Sequence, residues 1–65
     1  MNDLEKLKHL LGHWMEHNDA HVKTYTEWAE KAEALDRKDI SDILRQIVQD
    51  SNKLNELFKK AEEII

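Results

Sequence analysis

The sequence predicts an all-α fold: two long helices in an antiparallel hairpin, with two hairpins pairing into a four-helix bundle. Three observations carry this expectation. The 65 residues contain no proline and one glycine, and they are rich in the helix formers Leu, Glu, Lys and Ala. Apolar residues recur in steps of three and four, the spacing of one helix face. A run of four charged residues, Asp36-Arg37-Lys38-Asp39, then interrupts that pattern once, near the middle.

The first helix is expected over about residues 3–35. Asn2 with Glu5 three positions on reads as a capping box, which places the start near Asp3. Leu4, Leu7, Leu11, Trp14, Asn18, His21, Tyr25, Trp28, Ala32 and Leu35 form a heptad seam in which Asn18 and His21 are the polar members. The second helix is expected over about residues 40–64, with Asp39 as its N-cap. Its seam runs Ile40, Ile43, Ile47, Asp50, Leu54, Leu57, Ala61 and Ile64, and Leu44, Ser51, Phe58 and Ile65 widen it on one flank. At 1.5 Å per residue the two helices are about 50 and 39 Å long.

A chain of this size makes a small core, and without cysteine it has no disulfide to reinforce it. Each seam is wide enough to face two neighbours, so a homodimer is expected. Within the hairpin, residues whose numbers sum to about 75 lie level, which sets Tyr25 beside Asp50, His21 beside Leu54 and Asn18 beside Leu57. Asn18 and Asp50 are expected in a buried hydrogen-bonded cluster that fixes register. Trp14 and Trp28 are expected in the core with Tyr25, and Gly12 is read as a point of close helix approach.

Fourteen acids against ten bases give a net charge of −4, with the signs interspersed. Nucleic-acid binding needs clustered Lys and Arg, and no basic run exceeds two residues; Lys59-Lys60 is followed after Ala61 by Glu62-Glu63. No nucleic-acid partner is expected. No stretch approaches the roughly 18–20 apolar residues of a membrane span, and the start Met1-Asn2-Asp3-Leu4-Glu5-Lys6 lacks the pattern of a secretory signal. A cytoplasmic location is expected.

All four histidines lie between positions 9 and 21, as His9, His13, His17 and His21. Residues four apart neighbour one another on a helix, so each successive pair has the spacing to hold one ion through imidazole nitrogen. Each four-residue step also turns about 40° around the axis, spreading the set over about 120°. His21 then falls in the seam, His17 on its flank, His13 at the rim and His9 outside. His17 with His21 is expected to meet a ligand from another helix, and His13 with His17 to form a rim site within reach of Glu62 or Glu63. Imidazole with carboxylate suits Zn2+, Ni2+, Cu2+ or Co2+. The other reading of the same residues is structural, with histidines at an interface or in solvent.

The segment from Leu10 to His21, with Tyr25 and Trp28-Ala29, resembles short prokaryotic helical domains with the pattern H-W-x-x-H-N-x-x-H, associated with proteins that handle transition metals. The resemblance covers helix 1, about half the chain. It implies His13, His17 and His21 as the functional, metal-binding residues; His9 falls outside the pattern. Read as a metal module, these residues are expected to bind Zn2+ or Ni2+ for metal handling or sensing.

Catalysis is not expected. His13 is followed by Trp14 rather than Glu, so the H-E-x-x-H arrangement of zinc proteases is absent. No Glu precedes a histidine by three, as a ferritin-type di-metal site needs. No cysteine is present, and no Ser-His-acid set is recognisable. Two functions remain: a dimeric metal-binding module, or a non-catalytic dimerisation module whose histidines are structural.

Overall fold

The computed structural model describes residues 2–65. Helix α1 spans Asp3–Ala34 and α2 spans Lys38–Ile64, packed antiparallel as a hairpin, with no strand among the described residues. Asn2 caps α1 as expected, its side-chain oxygen accepting from the Glu5 N–H at 2.9 Å. The hairpin is 51 Å long.

The connection is tighter than the charged run suggested. The Arg37 N–H donates to the Ala32 carbonyl at 2.9 Å and the Asp36 N–H to Glu33 at 3.0 Å, which together make a Schellman turn. Asp36 sits between them at φ 63°, in the left-handed region that glycine adopts most cheaply. This turn ends α1 at Ala34 and starts α2 at Lys38, two residues before the expected limit. Asp39 is not the N-cap: Arg37 holds that position, with no side-chain cap bond. Asp39 lies in the first turn and pairs with Arg37 at 3.2 Å. The hydrogen bond from that guanidinium holds the Asp39 carboxyl below its ordinary range.

The rows that face each other inside the hairpin match the expected seams only in part: Leu11, Asn18, Tyr25 and Ala32 of the α1 seam are covered, whereas Trp14, His21 and Trp28 are not. On α1 the covered side chains are Leu11, Met15, Asn18, Val22, Tyr25, Thr26, Ala29 and Ala32; on α2 they are Ser41, Leu44, Val48, Ser51, Asn55, Phe58, Ala61 and Glu62. The flanking row of α2 therefore points inward and its main seam points outward. The reason lies at the turn. A connection this short draws the helix ends together, and only small side chains fit there: Ala29 is 0% and Ser41 1% exposed.

Asn18 does anchor a cluster between the helices, with different partners from those expected. Its side-chain N–H group donates to the Ser51 carbonyl at 2.7 Å and to Asn55 Oδ1 at 2.9 Å, and Asn55 in turn donates to Asp19. Asp50 takes no part. It is exposed and accepts from Gln46 of its own helix at 3.0 Å. Gly12 is not a point of backbone approach either, because a Cβ there would meet only the tip of the Glu62 side chain at 3.5 Å.

Many of the large apolar side chains consequently lie outside. Trp14 and Trp28, expected in the core, are exposed, Trp28 to 54% with the Lys31 ammonium over its ring at 4.3 Å. Leu4 and Leu7 on α1, Leu35 just past its end, and Ile40, Ile43, Ile47, Leu54, Leu57 and Ile64 on α2, are exposed as well. Viewed along each helix from its N-terminus, the outward row is turned from the inward row by about 80–100° in the same sense. Because the helices are antiparallel, both rotations lead to the same side. One face of the hairpin therefore carries most of its large apolar groups, interrupted by His21 and Asp50.

Candidate functional site

The four histidines occupy three successive turns and part of a fourth on α1, and all four are exposed. The 40° drift from step to step sends them to different sides of the helix. His13 points away from α2, His17 lies at the outer rim of the apolar face, and His21 lies on that face. His9 falls beyond His13, outside the group, as its position in the sequence indicates.

The structure brings His13 and His17 together. Their Nε2 atoms are 3.1 Å apart and their rings meet edge to face, with centroids 4.4 Å apart. One ring N–H donates to the lone pair of the other, and the tautomer sets the direction. The separation is close to that of two nitrogens sharing one ion: at Zn–N lengths of about 2.0–2.1 Å and a tetrahedral angle, two ligands stand about 3.3 Å apart. A metal ion in place of the shared proton asks for little change in that separation, with the rings turned so that both lone pairs converge on the ion.

His21 is not part of this pair. Its ring stacks on Tyr25, with centroids 6.0 Å apart and planes at 14°. Sequence spacing could not have chosen between His13–His17 and His17–His21, since both are four apart; the side-chain torsions and the neighbouring Tyr25 decide. Glu62 lies near, lining a surface groove with His9, His13 and Glu16 beside Gly12. It does not complete a site with the two rings. Among the described residues of a single chain, no three His, Asp or Glu side chains converge as a metal cluster.

The second functional feature is the apolar face itself, which the sequence pattern assigned to the interior of the hairpin. The signal that could have located it is size: α2 has an aliphatic main seam (Ile40, Ile43, Ile47, Leu54, Leu57) beside a row containing Ser41, Ser51 and Asn55. A tight turn selects the smaller row for close packing. No helix among the described residues is long and apolar enough to cross a membrane.

Residues 7–65 match a family described as a domain of unknown function, DUF8180. The chain belongs to the DUF8180 family. The DUF8180 match takes in all four histidines and every outward apolar residue except Leu4. An uncharacterised protein of Archaeoglobus fulgidus is 34% identical over 62 residues, covering 95% of this chain and 98% of that protein. No solved structure matches the chain.

Proposed function

We propose that this member of the DUF8180 family is a non-catalytic, self-associating helical module, in which two hairpins pair through their apolar faces into a four-helix bundle. The observation that carries this reading is the uncovered apolar face: Trp14, Trp28, Ile43, Leu57 and their neighbours lie outside, while the covered rows mix Leu11, Leu44, Val48 and Phe58 with small and polar residues. The exposed apolar groups on that face amount to on the order of 1,000 Å2 per chain, against about 800 Å2 per partner in a standard interface. The shape agrees. The accessible surface of 5272 Å2 exceeds the roughly 4,300 Å2 of a compact monomer of this mass. The radius of gyration of 15.2 Å compares with about 11 Å for a compact 65-residue domain. Sedimentation equilibrium is the direct test, with a dimer of the 7.7 kDa chain expected; a monomer at high micromolar concentration would defeat the reading.

A second reading, favoured by the 3.1 Å spacing of the His13 and His17 nitrogens, is that the module binds a transition-metal ion of the Zn2+ or Ni2+ class through its helix-1 histidines. Metal handling or sensing would follow from that binding. Calorimetric titration of metal-free protein tests it. Saturable binding well below millimolar is expected, weakened by His17→Ala; no such binding sinks it.

A further inference from the structure

We propose that the metal site is shared between two copies of the chain: His13 and His17 of one hairpin provide two ligands, and His21 of the second copy provides the third. This rests on both readings above, and it names where the donor missing from the single chain comes from.

The argument begins with His21. An imidazole in the middle of an apolar face loses its water when a second hairpin covers that face, so it then needs a polar partner. On its own chain His21 stacks on the ring of Tyr25, and Asp50, the other polar group of the face, is already bonded to Gln46. His13 and His17 have the opposite deficiency. Their nitrogens are spaced for one ion, yet no third donor of the same chain converges on them.

Two-fold pairing of the apolar faces can follow either of two dyads lying in the interface. With the dyad along the helices, α1 lies over the partner's α2. The second copy's residues nearest the rim at His17 are then Leu57 and Lys60, and neither is a metal donor. With the dyad across the helices, α1 crosses α1 of the second copy antiparallel. Centring the two faces on one another puts that dyad at about residues 19–21 of α1. His17 then stands within about one helical turn, 5.4 Å measured along the axis, of the level of His21 in the second copy. The second arrangement gives His21 its partner and the chelating pair its third ligand in one step. A tetrahedral ion keeps its fourth position for water or a further ligand. The symmetry makes two such sites per dimer, one ion per chain.

Complementation between variants tests the shared site. Chain one carries His21→Ala, and chain two carries His13→Ala with His17→Ala; these positions are exposed, and circular dichroism checks that helicity is retained. Each variant alone is expected to bind Zn2+ or Ni2+ more than about tenfold more weakly than wild type. Unfolded, mixed in equal amounts and refolded together, they form heterodimers with one intact site. About a quarter of the wild-type number of tight sites per chain should return if pairing is random. A mixture that binds as the average of its two components overturns the shared site, as does wild-type affinity in the His21→Ala chain. Sedimentation of the same samples separates the two possible failures. A dimer without complementation removes the shared site alone; a monomer with and without the ion removes the four-helix pairing with it.

Discussion

Single residues inside the hairpin show where its packing is imperfect. The Ser41 hydroxyl is buried and has no hydrogen-bond partner, and a buried unpaired polar group costs about 1–3 kcal/mol. Ser41→Ala removes the hydroxyl while keeping the small volume that the turn requires. It is expected to raise the thermal midpoint by several degrees, the shift that about 1 kcal/mol makes in a domain this small. Unchanged or lowered melting would show that the hydroxyl has a partner in solution. Gly12 offers a second case. The site has room for a methyl group, and glycine within a helix costs about 1 kcal/mol relative to alanine. Gly12→Ala should therefore stabilise, as read by urea denaturation, and a loss of stability would restore the idea of close approach. Neither residue could be ranked from sequence, because what decides each is the volume beside it.

At the scale of elements, the two helices were legible and their facing was not. Propensity, the Asn2 cap and the charged break are local signals, and they placed the helix ends within one or two residues. Facing is not local. Each helix offers more apolar positions than one neighbour can cover, and hydrophobicity alone points the largest row at the nearest helix. The Leu35–Arg37 turn overrides that preference by demanding close approach, so Ala29, Ala32 and Ser41 take the interior while Ile43 and Leu57 do not. Asn18 was placed correctly in the cluster because an amide at a covered position needs partners whichever way α2 is rolled. His13 and His17 were chosen together with His21 by spacing, and only the side-chain geometry separates the pair from the third. The turn has its own weak point at Asp36, whose positive φ is cheaper for glycine. Asp36→Gly should stabilise the hairpin by up to about 1 kcal/mol, measured by denaturant titration; a decrease would mean that the carboxylate supports the turn through its charge.

For the whole molecule, covering the apolar face in the proposed bundle would be the larger energetic effect. At about 25 cal/mol per Å2, burying even half of that face outweighs any ion pair of the hairpin. The Arg45–Glu33 bridge, 2.9 Å long with both side chains largely exposed, is worth at most about 1 kcal/mol. Charges placed on the face should therefore act far more strongly than charges elsewhere. Ile43→Glu combined with Leu57→Glu is expected to yield a monomer of sharply reduced stability, whereas Lys53→Glu, on the outer side of α2, should leave the mass at the dimer value. A dimeric Ile43→Glu, Leu57→Glu protein would place the interface elsewhere.

The hairpin measures 51 × 15 × 11 Å, so its least dimension is about one helix diameter. A slab one helix thick has no middle layer. Protection of its amide hydrogens from exchange with solvent must then come from a neighbour, and the slowest-exchanging amides should slow further as protein concentration rises. In the proposed bundle, dilution would loosen α1 and α2 together, making concentration as effective a control of order as heat or urea.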